Sequence, residues 1–283
     1  MYQPIHSDFI IHWTGKKEID NLSNSNNGEK DNLYLERLRD ILKYGLWMTK
    51  NKEETLIIID GEKIKIPNVA RTCFTELRLS EVQTHAKEFG RLGIGFKRFF
   101  LFDRLGSPMI YYLPIRRNWF FPPFISSQNK NNLDLYFLCF LKSMANKDNN
   151  GYLQYKYFDE SEWRIIYSED IRKLLLANRE LFFKVCNLDI EALFKNPRNK
   201  TNRELTDYYK TLKRDKKPDY LIPLDAWFSM IIYPNIRVKN RAKKDKEIQE
   251  LIKTIKAKNT PGCPPDEHKN HPIEVDLSAC RNF

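Results

Sequence analysis

No apolar run in this 283-residue sequence approaches the ~20 residues that cross a bilayer. The richest, Leu133 to Met144, is short and interrupted by Asp134 and Lys142, so membrane insertion is not expected. Cysteine is scarce too. Cys73, Cys139, Cys186, Cys263 and Cys280 are odd in number and irregular in spacing, with no secretory leader ahead of them. That usage fits a reducing compartment, and a cytoplasmic location is expected. Phosphate-loop chemistry is missing: no Gly-Lys-Ser or Gly-Lys-Thr occurs, and Gly93-Ile-Gly95 lacks the third glycine and the strand-to-helix context of a dinucleotide fold. No paired Cys-x-x-Cys accompanies Cys263, His268, His271 and Cys280, which in principle offer four zinc ligands. A proline-rich loop leading to a final strand accounts for the same residues, and no metal is expected.

What is present is material for a core, 41% hydrophobic and 13% aromatic residues. The length suits one large domain or two ordinary ones, and a single α+β domain over residues 1–283 is favoured. Lys and Arg number 48 against 37 Asp and Glu, a formal charge of +11. The excess is dense in Lys210–Lys217 and Arg237–Lys244. Such runs read either as solvated surface or as contacts to phosphates, so nucleic acid is one expected partner and a membrane is not.

Along the chain, Phe9–Thr14 before Gly15 predicts a first strand with His12 and Thr14 on one face. Asn21–Asp31 reads as a loop, and Asn32–Tyr44 as a helix ended by Gly45. Asp60-Gly61-Glu62 between β-rich runs predicts an inserted hairpin at about 55–66. Arg71–Thr75 reads as a strand, Ser80–Phe89 as a helix with Ser80 as its cap and Gly90 at its end, and Leu92–Phe96 and Pro108–Leu113 as strands. The glycines at 93 and 95 mark close backbone approach. Leu133–Ala145 reads as a buried helix, Glu162–Tyr167 as the strongest late strand and Ile171–Lys184 as an amphipathic helix. Residues 195–217 are expected as a basic surface excursion, partly helical. Trp227–Tyr233 is strand-like, Lys246–Lys258 helical, and Pro272–Leu277 alternates like an edge strand.

The order Ile11-His-Trp-Thr-Gly15, Ile41-Leu-Lys-Tyr-Gly45, Cys73-Phe-Thr-Glu76, His85 with Phe89-Gly90, Gly93-Ile-Gly-Phe96 and Met109-Ile-Tyr-Tyr112 resembles the AbiGi family of bacterial abortive-infection proteins. The resemblance covers roughly the first half of the chain, and Glu162-Trp163-Arg164 extends it. That family is in turn distantly similar to the ADP-ribosyltransferase fold. The resemblance implies a split, mixed and antiparallel sheet with flanking helices, and a cleft that takes NAD as a substrate. It implies phage defence in a toxin–antitoxin setting, with a cognate toxin or antitoxin as partner, and leaves open an antitoxin role without catalysis. By resemblance, His12 and Thr14 match the first-strand element, Thr75 the middle one and Glu162 the late catalytic carboxylate. Gly15 would let the backbone approach nicotinamide. Tyr112, with Tyr111 and Phe96, is a candidate for the aromatic that the fold places over its substrate.

The chemistry explains why these types converge. Breaking the nicotinamide–ribose bond passes through an oxocarbenium-like state, which a carboxylate stabilises, while an imidazole and a hydroxyl can hold ribose hydroxyls. Glu160 stands two residues before Glu162, on the same face if the strand begins that early. Each residue has a plainer reading as well. His12 reads equally as a structural histidine, Glu162 as half of a surface ion pair at a sheet edge, Thr75 as an ordinary strand residue, and His85 as a buried hydrogen-bonding residue. Arg116-Arg-Asn-Trp-Phe-Phe121 reads as a nucleic-acid contact or as a partly buried loop.

Overall fold

The computed structural model describes residues 9–22, 26–51, 56–59, 62–76, 81–112, 134–143, 146–147, 153–154, 161–178, 180, 184, 189–199, 202–213 and 217–282. Glu160, Ser80, Asp60-Gly61 and the Arg116–Phe121 stretch lie outside the described residues. The strands are β1 (Phe9–Thr14), β2 (Leu46–Met48), β3 (Leu56–Ile59), β4 (Glu62–Lys65), β5 (Ala70–Thr75), β6 (Leu92–Lys97), β7 (Ser107–Pro108), β8 (Ile110–Tyr112), β9 (Leu141–Ser143), β10 (Asn146–Lys147), β11 (Leu153–Gln154), β12 (Glu162–Tyr167), β13 (Tyr220–Ile222), β14 (Phe228–Tyr233) and β15 (Ile273–Asp276). The helices are α1 (Asn27–Tyr44), α2 (Val82–Phe89), α3 (Phe99–Phe102), α4 (Glu169–Asn178), α5 (Ile190–Leu193), α6 (Arg203–Thr211), α7 (Ile236–Lys244), α8 (Lys246–Lys256) and α9 (Pro265–Lys269).

The fold is α+β around a mixed seven-stranded sheet in the order β15-β14-β6-β1-β5-β12-β7. Every neighbouring pair is antiparallel except β14 and β15, which run parallel. The sheet is nearly two sheets. β1 pairs with β6 along its whole length, and β12 likewise with β5, but β1 meets β5 at a single register position, Ile11 opposite Thr75. Beyond that point the two strands separate.

Strand alternation sends side chains to two cores. One face carries Ile10, Phe74, Ile94, Phe96, Ile165, Ile231 and Tyr233, covered by Leu35, Leu38, Ile41 and Leu42 of α1 and by Ile248, Ile252 and Ile255 of α8. Those i, i+3, i+4, i+7 spacings put one apolar stripe of each helix on the sheet. Each such side chain, fully buried, contributes about 1.5–3 kcal/mol. The other face carries Ile11, Trp13, Met230, Ile232 and Val275 under Val82 and Ala86 of α2. Gly93 sits beneath Trp13 here: a Cβ at that position would come 2.9 Å from the indole ring.

Several expectations are corrected. α1 begins five residues earlier than its apolar spacing suggests, because Asn26 and Glu29 form a reciprocal capping box. The segment read as a helix over Leu133–Ala145 is a 3₁₀ turn, Asp134–Phe140, followed by β9, which pairs parallel with β8. A short apolar run does not distinguish these by periodicity. The charged stretch 237–244 is helix α7, capped by Asn235, with Val238 and Ala242 buried. The excursion at 195–217, expected to be partly helical, contains α6, whose Tyr208 stacks on Tyr44 at 3.9 Å. The hairpin β3–β4 and the edge position of β15 match the sequence reading. No helix among the described residues is long and apolar enough to cross a membrane.

Candidate functional site

The split between β1 and β5 opens into two hollows that share His12, Trp13 and Phe89 as walls. The first, about 360 Å³, is lined by those three with Cys73, Phe74, Thr75, Lys142, Glu162 and Arg164. The second, about 320 Å³, includes Thr14, Gly15, Lys16, Arg37, Trp47, Thr49 and Glu88. His12, Thr75 and Glu162, from three strands, therefore share one cavity, and Thr14 and Gly15 line the lobe beside it.

Register explains the grouping. Glu162 lies opposite Thr75, and Arg164 opposite Cys73, so these four side chains share the sheet face of Ile11 and Trp13. His12 has the opposite parity, yet it reaches the cavity because its ring occupies the split. Its Nδ1 lies 3.0 Å from the carbonyl oxygen of Cys73. A carbonyl only accepts, so Nδ1 carries the proton and Nε2 is left as an acceptor. Burial, with Arg37 nearby, outweighs the bond to Cys73 and lowers the imidazole to about 4, keeping it neutral at pH 7.

Glu162 is only 8% exposed, which removes the reading of a surface ion pair at a sheet edge. It is an ion pair nonetheless. Arg164 Nε donates to one carboxylate oxygen and Lys142 Nζ to the other, each at 2.7 Å. Burial pushes the carboxyl up, but the two cations prevail and hold it at about 2, so it is ionised. Arg164 also donates to the Cys139 carbonyl at 2.8 Å, which fixes the guanidinium. Ser161, directly before Glu162, has φ 40, a left-handed conformation that costs a non-glycine residue on the order of 1 kcal/mol. Strain of that kind gathers where surrounding structure dictates the position of a functional side chain.

Other candidates fall elsewhere. Tyr112 is buried in the first core and lines neither hollow; its neighbour Tyr111 accepts the Glu162 backbone N–H at 3.2 Å. Gly15 has φ 105, and a Cβ there would meet the Tyr34 ring at 2.6 Å, so the chain's turn out of β1 requires glycine. His85 is buried against Phe89, ring centroids 5.6 Å apart. His268 bonds the Lys256 carbonyl, His271 pairs with Glu274, and Cys280 is buried in the second core. Among the described residues no group of three or more His, Cys, Asp or Glu is arranged to hold a metal ion.

Sequence reasoning missed Lys142, Arg37 and Trp47. Lys142 left a signal, since a lone cation inside an apolar run demands a buried counter-charge. Arg37 lies over the Trp47 ring at 4.5 Å, a cation–π contact between α1 and β2 that no local pattern announces. Lys16, Arg37, Lys142 and Arg164 stand against Glu88 and Glu162, four cations to two carboxylates, so the two-lobed cleft is net positive. The chain matches no known family model, no curated protein and no solved structure.

Proposed function

We propose that the two-lobed cleft binds NAD and that the protein is an ADP-ribosyltransferase-like enzyme of bacterial phage defence. The observation that carries this reading is the convergence of His12, Thr75 and Glu162 on one cavity in the split of the sheet. The sequence resemblance to AbiGi proteins supports the biological setting. The cleft's excess of two cations complements a pyrophosphate.

In this scheme the nicotinamide–ribose C–N bond breaks, nicotinamide departs, and a nucleophilic oxygen or nitrogen of the target, or water, bonds to the ribose carbon and loses its proton, while the ionised Glu162 offsets the positive charge that develops on the ribose. Nε2 of His12 accepts from a ribose hydroxyl, and the Thr75 hydroxyl positions Glu162 or the sugar. For Glu162 to meet the ribose, one of its cation partners must turn toward the substrate's phosphates. Lys142, at the end of a flexible stem, is the better suited of the two, because Arg164 is also tied to Cys139.

A second reading is favoured by that same clamp. Both oxygens of Glu162 are already engaged, which suits a recognition module such as the antitoxin member of a defence pair. Incubation with NAD separates the two: the enzyme reading expects nicotinamide release or labelling of a target, lost in Thr75→Val and Glu162→Gln proteins that retain a cooperative thermal transition. Dinucleotide binding by calorimetry without any nicotinamide release from wild type leaves the recognition reading.

A further inference from the structure

Helix α7 carries Arg237, Lys239, Arg241, Lys243 and Lys244 and no carboxylate, and Lys246 follows at the start of α8. Its apolar residues Val238 and Ala242 face the core, which leaves the cations on its remaining sides. The acidic groups near them engage only the first two of these cations, Arg237 and Lys239, or residues outside α7. Asp31 accepts from Arg237 and Asn235, both at 2.8 Å. Asp245 caps α8 and takes Arg39, which also lies 3.6 Å from Glu247. Asp276 accepts from Ser278 and lies 3.8 Å from Lys239. Arg241 donates to the neutral amide oxygen of Asn32. Among the described residues, Lys243, Lys244 and Lys246 have no carboxylate partner, and with Arg241 they are exposed.

We infer that α7 and the start of α8 form a docking surface for the phosphate backbone of nucleic acid. Arg241–Lys244 span about 5 Å of helix rise and Lys246 opens the next helix just beyond the break at Asp245, while a duplex presents one phosphate charge per about 1.7 Å of its axis. Like charges so close repel one another, and a polyanion relieves that repulsion with release of its counterions. An anionic membrane fits less well, because the only large apolar residue exposed on α7 is Ile236 and a membrane-surface helix needs an apolar face to bury. None of these residues lines either hollow of the cleft, so this proposal stands or falls independently of the dinucleotide reading.

The test is fluorescence anisotropy with a labelled 20-base-pair duplex of mixed sequence, from 50 to 200 mM salt. Four phosphate contacts correspond to a log–log salt slope of about −3.6. The variant R241Q/K243Q/K244Q/K246Q is expected to bind at least tenfold more weakly at 50 mM salt, with the slope reduced by about that amount. Its thermal transition and its nicotinamide release are expected to match wild type. A control of equal charge change, K173Q/R198Q/R203Q/K210Q, should lose far less. Equal loss in both variants overturns the proposal, as does a duplex affinity that neither changes. Retention on phosphatidylserine vesicles without duplex binding overturns it in favour of a membrane.

Discussion

His12 Nδ1 lies 3.0 Å from the Cys73 carbonyl, at the point where β1 and β5 part. A side chain thus takes up a carbonyl that strand pairing would otherwise satisfy, and the split in the sheet persists without an orphaned acceptor. The imidazole is lowered to about 4 from an ordinary 6.5. Between those values the unfolded chain binds the extra proton, so stability rises with pH there and is lost as pH falls from 6.5 toward 4. Urea midpoints measured from pH 4.5 to 7.5 should fall more steeply on acidification in wild type than in His12→Gln. Parallel profiles would falsify the assignment.

Glu162 works in a lower window. Its carboxyl is held at about 2, below its ordinary 4.5, so its contribution is present above pH 4.5 and lost as pH drops toward 2. Glu162→Gln leaves Lys142 and Arg164 without their counter-charge, at a cost of about 3 kcal/mol at pH 7. The deficit relative to wild type should shrink steadily below pH 4.5. Combining Glu162→Gln with Lys142→Met should cost less than the sum of the single changes, by more than about 0.5 kcal/mol, in urea unfolding of all four proteins. Strict additivity would mean that the Lys142 contact contributes nothing.

Gly93 supports the cleft wall from below. A methyl group there meets the Trp13 ring at 2.9 Å and Ile11 and Ile232 at 3.1 and 3.2 Å. The backbone cannot retreat, since β6 is paired on both sides. Gly93→Ala should therefore cost about 1–3 kcal/mol and push Trp13 toward the hollow it lines. Paired measurements of thermal midpoint and NAD affinity check this: both should fall. A protein of unchanged stability and tryptophan fluorescence would show that the added methyl is accommodated without displacing the indole.

The sheet strands were legible because β-branched and aromatic runs such as Phe9–Thr14 and Glu162–Tyr167 carry their own signal and are bounded by turn residues. The pairing of His12, Thr75 and Glu162 was legible only through resemblance. No local rule reveals that β1 and β5 join at one residue and then diverge, because that depends on contacts distant in sequence. Helix α7 was hidden by its charge: five cations mask the two small apolar positions, Val238 and Ala242, that dock it. Its cap, Asn235, and the Asn26–Glu29 box of α1 were readable signals that charge and polarity obscured. Lys142 shows the opposite failure, a cation read as an interruption when its burial demanded a partner.

Arg104 provides the sharpest test of the packing outside the cleft. It is essentially fully buried, donates to the carbonyls of Phe100 and Pro223 at 3.1 and 3.3 Å and to Asp225 at 2.9 Å, and lies 3.9 Å over the Phe100 ring. Asp225 in turn accepts the Trp227 backbone N–H at 3.0 Å, where the chain enters β14. Arg104 therefore ties the turn after α3 to the central strands. Arg104→Met keeps much of the volume but leaves Asp225 buried without its cation, at a cost of about 3–5 kcal/mol. Arg104→Lys should recover only part of that, because a single ammonium cannot reproduce the forked contacts to Asp225 and two carbonyls. Removing both charges in Arg104→Met/Asp225→Asn should be milder than Arg104→Met alone, since no unpaired ion remains. Urea denaturation of the four proteins gives the ordering directly, and a double variant less stable than Arg104→Met would show that the Asp225 carboxylate stabilises this corner through its bond to the Trp227 N–H even without its cation.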